Sequence, residues 1–474
     1  MRVPTPERQT MASVDVAVER AVDVVVVGAG LSGLICARAL KRLGLVVRLL
    51  EARDRIGGRL ESYTTASGTV VDLGGQWVGA THHRMNSLLE DLQLRRFPSF
   101  YDGEGIFHWQ GEAHRAGLEP ETTSSVVFFR PDALPLPTDQ IVQTLQLQRE
   151  FFHLVEQVPA SAPWTAPGAM QLDRTTIASW LSRRQACPLA RYPFSWLTRV
   201  GGSGGFEPWE SSMLHLAWTQ AVAPQREGPE TWLVEGGMGQ VAQRLAAELT
   251  PCLQLGAPVR AIEDTGTGVR VHHSAGALEA KAVVVAIPPP LRLGLHFSPP
   301  LPASWRGLLQ RSPMGAMVKV LALYPEAFWR EDGLNGLGLG TLPTLELVAD
   351  SSPPGGRPGI LAGFIAAERA VQWQGQPEAR REAMVRADLA SYFGPRAASP
   401  TQLILKNWNG EPWSSGAFTS FLIPGTWHTY GSIWQEPHGR VIWAGTEAAQ
   451  RWPGYFEGAI EAGLTAAGKA KEWL

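Results

Sequence analysis

Two short glycine runs, one acidic residue and one isolated lysine are the parts of this sequence with chemistry within reach. Gly28-Ala29-Gly30-Leu31-Ser32-Gly33 follows a run of four valines, Val24 to Val27, and opens a helix-forming segment. In that setting Gly28 allows a tight turn and Gly30 lets the backbone approach a pyrophosphate. Gly33 permits close packing of helix on strand, and the helix N-terminus faces the anion. Glycines cluster in many loops, but Glu51 strengthens the case. It ends a second apolar run eighteen residues beyond Gly33, where a carboxylate accepts hydrogen bonds from an adenosine ribose. The competing reading is a plain glycine turn with Glu51 as a solvated strand end. The next stretch, Ala52-Arg53-Asp54-Arg55-Ile56-Gly57-Gly58-Arg59, sets a second glycine pair and a cation where they can hold the same pyrophosphate from its other side. A nicotinamide dehydrogenase does not need that element, so the pattern points to FAD rather than NAD.

Lys319 lies in the apolar, strand-like stretch Met314 to Val320, where a charged amine is costly without a partner. The alternative is a lysine on a solvated strand face. The eleven histidines show no metal-ligand spacing, and His82-His83 reads as a polar turn, so no metal site is expected. No serine or cysteine nucleophile arrangement is recognisable.

These residues must be carried by a sheet built from separated pieces of chain. Residues 1–20 have no period and read as a flexible leader. A buried strand starts at Ala21, a helix runs through Lys41, and Leu45 to Leu50 is a second strand. Later come a helix over Val241 to Leu249, a strand over Ala282 to Ile287 stopped by three prolines, a strand over Val441 to Ala444, and a closing helix from Gly458 to Leu474. The expected fold class is therefore α/β. Residues 21–96, 231–300 and 408–474 form a discontinuous nucleotide-binding domain, and residues 97–230 and 301–407, rich in Trp, Phe and Pro, form a second, substrate-facing domain.

Bulk properties narrow the partners. The 474 residues suggest two or three packed units, and 44% hydrophobic against 18% charged residues excludes a disordered chain. With 42 basic and 44 acidic side chains the net charge is −2, which leaves no excess to attract nucleic acid. Cys36, Cys187 and Cys252 are odd in number and far apart, which fits a reducing compartment. No run of 18 apolar residues occurs and the first 20 residues carry charges, so a soluble, cytoplasmic protein is expected. The chain stops at Leu474 directly after the closing helix, and no membrane anchor is expected.

Five further stretches carry a resemblance. They are Val71-Asp72-Leu73-Gly74-Gly75-Gln76-Trp77-Val78-Gly79; Pro258-Val259-Arg260; Leu405-Lys406-Asn407-Trp408 with Ser415-Gly416-Ala417-Phe418; Trp443-Ala444-Gly445-Thr446-Glu447; and Arg451-Trp452-Pro453-Gly454-Tyr455-Phe456-Glu457-Gly458-Ala459. Together with the N-terminal glycine motif, they make the sequence similar to the flavin-containing amine oxidase family, which includes monoamine oxidases, polyamine oxidases and many L-amino-acid oxidases. The resemblance implies a Rossmann-like FAD-binding domain with an inserted α+β substrate-binding domain. It implies that Gly28, Gly30, Ser32, Gly33, Glu51, Ala52, Arg53, Gly58 and Arg59 bind the nucleotide end of FAD, and that Val259 and Arg260 meet the adenine. Gly74, Gly75, Gln76 and Trp77 would pass beside the flavin ring, which Trp408 flanks. Gly445, Glu447, Gly454, Tyr455 and Phe456 would form the C-terminal flavin motif.

By the same resemblance, Tyr455 and Phe418 stand on either side of the substrate nitrogen, and Lys319 holds a water at the flavin N5. The departures matter as well. Monoamine oxidases attach FAD through a Cys; that position is Ala417 here, so the FAD is expected to be noncovalent. Phe418 stands where monoamine oxidases have Tyr, and an ordinary core ring is its alternative reading. The implied reaction moves hydride from a hydrophobic or aromatic primary or secondary amine to the flavin. The imine hydrolyses to an aldehyde or ketone, and O2 reoxidises the flavin to give hydrogen peroxide. An L-amino-acid oxidase would need an arginine clamp, for which only Arg84 and Arg451 stand near the motifs. A dehydrogenase passing electrons to a protein carrier stays open, as does a noncatalytic flavoprotein scaffold, against which Lys319 and Tyr455 argue. Homodimers are common in the family.

Overall fold

The computed structural model describes residues 18–117, 134–201, 204–224, 228 and 230–474. Of the expected leader, residues 1–17 lie outside the described residues. The strand that follows runs Val18–Val27, three residues earlier than the apolar run predicts, and its Val18 pairs with Ala277. Backbone pairing with a long neighbour extends the strand beyond its valines, at the expense of a register shift between Glu19 and Val22.

Eight strands form the first sheet, in the order His296–Ser298, Val259–Asp264, Val269–His273, Gly276–Val285, Val18–Val27, Val47–Leu50 and Leu253–Gln254, with Val441–Trp443 also paired to Gly276–Val285. Val18–Val27 is parallel to both of its neighbours. Val24 and Val26 are buried in the core on one face, and Val25 and Val27 in the core on the other. Burial on both faces is why this strand reads as an unbroken β-branched run, each valine contributing about 1.5–3 kcal/mol. Helices Leu31–Arg42, Gly239–Leu249 and Phe456–Lys471 pack on the first face. The last begins two residues before the expected Gly458. Arg38 fastens two of these elements, donating to Glu248 at 2.8 and 2.6 Å.

The glycine turn is sterically demanded. Gly28 has φ +99°, and a Cβ on Gly33 would sit 1.9 Å from the Gly28 carbonyl oxygen, so helix and strand can meet this closely only without side chains.

The second sheet has seven strands, in the order Gln402–Asn407, Met317–Tyr324, Gly359–Ala366, Leu347–Asp350, Leu334–Gly340, Glu104–Trp109 and Glu112–Gly117. Its pairings are antiparallel except Leu334–Gly340 with Glu104–Trp109. Helices Thr138–Glu156, Pro188–Arg199 and Met213–Val222 share a core with part of this sheet, where Phe151 meets Phe194 edge-on at 5.4 Å. No helix among the described residues is long and apolar enough to cross a membrane.

Candidate active site

A cavity of about 300 Å³ runs from the glycine turn to the second sheet. At one end Gly28, Gly30, Leu31 and Ser32 present the start of the first helix, and Glu51, Ala52 and Arg53 end the neighbouring strand. The Glu51 carboxylate is buried and accepts from the backbone N–H of Ala29 at 2.7 Å and of Arg53 at 2.9 Å. A carboxylate has about four acceptor sites, so room for ribose hydroxyls remains. Val259 and Arg260 line the same end, as does Trp413, which the Arg260 guanidinium faces at 6.0 Å. Gly58 and Arg59 border the middle. The charged lining is Arg53, Arg59, Arg260 and Lys319 against Glu51 alone among the described residues, a balance suited to a pyrophosphate held at a helix N-terminus.

The far end is assembled from distant segments. Gly74, Gly75, Phe364, Phe418, Gly454, Tyr455 and Phe456 border both this cavity and a second one of about 140 Å³. Trp408 borders the first, its indole N–H donating to the Leu73 carbonyl at 3.0 Å. The Gly445 N–H donates to Ser32 Oγ at 3.0 Å, which ties the C-terminal motif to the first helix. Phe418 meets Phe364 edge-on at 5.4 Å, and Tyr455 meets Trp452 at 5.1 Å.

Lys319 sits on a strand buried along its whole length. Its ammonium donates to the Gly74 carbonyl at 2.7 Å and to Gln76 Oε1, and it lies 5.7 Å from the Trp77 ring centre and 5.9 Å from that of Phe364. Burial pulls its pKa down to about 7, with the Asp72 carboxylate opposing the fall. A solvated strand face is thereby excluded.

Four expected positions do not line the large cavity. Glu447 does not line the large cavity. Its carboxylate turns back onto Arg59 at 2.6 Å and the Thr419 hydroxyl at 3.0 Å, because a buried acid needs its partners. Burial acts to raise that carboxyl, but the Arg59 charge outweighs it and holds it below the usual carboxylate range. The same guanidinium donates to the Phe418 carbonyl at 2.7 Å. Gly33 packs against Gly28 rather than bordering the cavity. Gln76 and Trp77 line the second cavity instead of the first, Gln76 held by Lys319 and by Ser351 at 2.8 Å. Arg84 pairs with Glu457 and Glu461, and Arg451 is exposed; neither lines either cavity.

The sequence reading missed Phe364, Trp413 and the outer residues of the second cavity, Tyr101, Trp196, Leu337 and Glu230 among them. Phe364 lies opposite Lys319 in the strand pairing, a register that no local pattern reveals. Glu230 stands close before a short strand, with no motif around it.

Known proteins share this architecture. The family described as flavin containing amine oxidoreductase matches residues 31–470. An L-amino acid dehydrogenase of Synechocystis is 39% identical over 446 residues, 94% of each chain. The flavin-containing amine oxidase A of Sus scrofa is 32% identical, covering 94% of this chain and 84% of that one. Among solved structures, a putrescine oxidase with putrescine bound superposes with a TM-score of 0.88 at 30% identity, over 96% of this chain and 100% of that one. The cyclohexylamine oxidase of Brevibacterium oxydans gives 0.87 at 31%, over 96% and 99%. FAD is the cofactor of these enzymes, and the cationic cavity at the helix N-terminus fits it. The chain belongs to the flavin-containing amine oxidoreductase family, an oxidoreductase acting on amine donors.

Proposed function

We propose that this enzyme oxidises a primary or secondary amine carrying a hydrophobic or aromatic group. One observation carries the reading: among the described residues, no arginine or lysine lines the second cavity, whose walls are mainly aromatic and aliphatic. Such a chamber suits an apolar amine and offers a carboxylate no bidentate partner.

FAD, when bound, supplies the acceptor for two electrons. The chain's own residues do the rest. Phe418 and Tyr455 wall the reacting position and exclude water, which disfavours ammonium there and leaves the nitrogen lone pair available to assist loss of hydride. Lys319, held by Gly74 and Gln76, keeps a titratable amine beside that position. The imine hydrolyses to an aldehyde or ketone, and O2 takes up the electrons as hydrogen peroxide. Residues 21–96, 231–300 and 408–474 hold the cofactor in this reading, and 97–230 with 301–407 form the amine end. The unpaired Cys36, Cys187 and Cys252 favour a cytoplasmic location.

A second reading, an L-amino acid as substrate and a carrier other than O2 as acceptor, is favoured by the 39% identical Synechocystis dehydrogenase. Anaerobic mixing with benzylamine, a polyamine and several L-amino acids separates the two. Bleaching of the flavin by amines supports the first reading; bleaching by amino acids alone overturns it. Peroxide on readmitting air distinguishes an oxidase from a dehydrogenase.

A further inference from the structure

We infer that Glu230 selects substrates by charge, drawing in cationic amines and turning away molecules that carry a carboxylate. This rests on the reading of the site as an amine-oxidising one and names the residue that enforces it. Glu230 borders the second cavity, where it is the one charged side chain among the described lining residues. Its backbone is fixed: its carbonyl accepts from the Ser99 hydroxyl at 2.7 Å and the Tyr101 hydroxyl at 3.1 Å, beside the pairing of Arg96–Pro98 with Trp232–Val234. Among the described residues its carboxyl forms no ion pair and is met by its own backbone N–H, in contrast to the cation-paired Glu447 and Glu457.

The position is that of an entrance. Residues at the reactive end, such as Phe418 and Tyr455, border both cavities, whereas Glu230 and Tyr101 border only the second, and Tyr101 is 38% exposed. An amine in water is an ammonium and must pass this carboxyl before it reaches the rings that favour its neutral form. Burial pushes the carboxyl up to about 8, so an approaching cation favours its ionised form and an approaching carboxylate meets either like charge or an acid that must stay protonated. An acid with no counter-charge among the described residues and with mainly apolar surroundings gives an incoming cation more to gain here than at a solvated surface.

The test uses the FAD-loaded enzyme and two substrates that differ only by a carboxylate, phenethylamine and L-phenylalanine, at about pH 9, above the carboxyl's midpoint. Stopped-flow flavin reduction yields the apparent dissociation constant of phenethylamine, and competition with that reduction yields the constant of phenylalanine. Glu230→Gln should weaken phenethylamine and tighten phenylalanine, raising the ratio of the phenethylamine constant to the phenylalanine constant at least tenfold, about 1.4 kcal/mol. A ratio within twofold of wild type overturns the inference. Should the variant fail to load FAD, the wild-type enzyme decides: 3-phenylpropanamide should inhibit at least tenfold more tightly than 3-phenylpropionate, and equal inhibition overturns it. Wild-type flavin bleached by phenylalanine and not by phenethylamine would remove the amine reading itself, before any variant is made, and this inference with it.

Discussion

Lys319 shows what burial does to a single side chain. Its amine is charged below about pH 7 and neutral above, whereas in the unfolded chain it stays charged to about 10.4. The unfolded state therefore binds more protons between those limits, so stability contributed at this residue rises with pH across them. Compared with Lys319→Met, the wild type should gain in thermal midpoint between about pH 7 and 10, and two parallel melting series would show it. The same substitution should slow flavin reduction or reoxidation about tenfold or more while FAD stays bound, which rapid mixing measures. Ala417 makes a simpler statement. With no thiol at that position, acid precipitation should leave all the flavin in the supernatant, and a yellow pellet would contradict a noncovalent cofactor.

At the scale of elements, the question is how segments far apart in sequence are locked beside one another. Arg59 is one such lock, joining the loop after the second strand to Glu447 and to the Phe418 carbonyl. Arg59→Ala leaves Glu447 buried without its main partner and should cost about 3 kcal/mol in urea unfolding. Adding Glu447→Gln should restore about 1 kcal/mol of that, since the stranded charge is gone. Gly33 is another. A methyl there would meet the Gly28 carbonyl at 1.9 Å, so Gly33→Ala should force the helix off the strand. The flavin-to-protein absorbance ratio of that variant should fall well below the wild type's.

For the whole molecule, the cavity assigned to FAD bears on stability, because it is bordered by residues from Val27 to Ala459 and bridges the two sheets. A ligand that binds only the folded state stabilises it by mass action, about 2.7 kcal/mol at a hundredfold excess over its dissociation constant. Apoprotein should therefore melt several degrees lower than the loaded enzyme and recover on addition of FAD. A colourless protein that takes up no flavin would overturn the assignment of the cavity.

Local sequence determined much of this protein. Steric rules at Gly28 and Gly33, the valine run and the spacing to Glu51 act within one strand-helix-strand unit, so that unit of the first sheet and its nucleotide motif are legible without a structure. Lys319 could be singled out because a charge in an apolar run is conspicuous anywhere. Tertiary structure decided the rest. Phe364 meets Phe418 and lies opposite Lys319 only through strand register, Glu447 turns from the cavity because Arg59 comes to it from 388 residues away, and Glu230 becomes an entrance residue only when the second sheet and the helices close around it. Spacing along the chain encodes contacts within a turn or a strand pair. It cannot encode which distant side chains share a wall, because that depends on how two sheets come together in space.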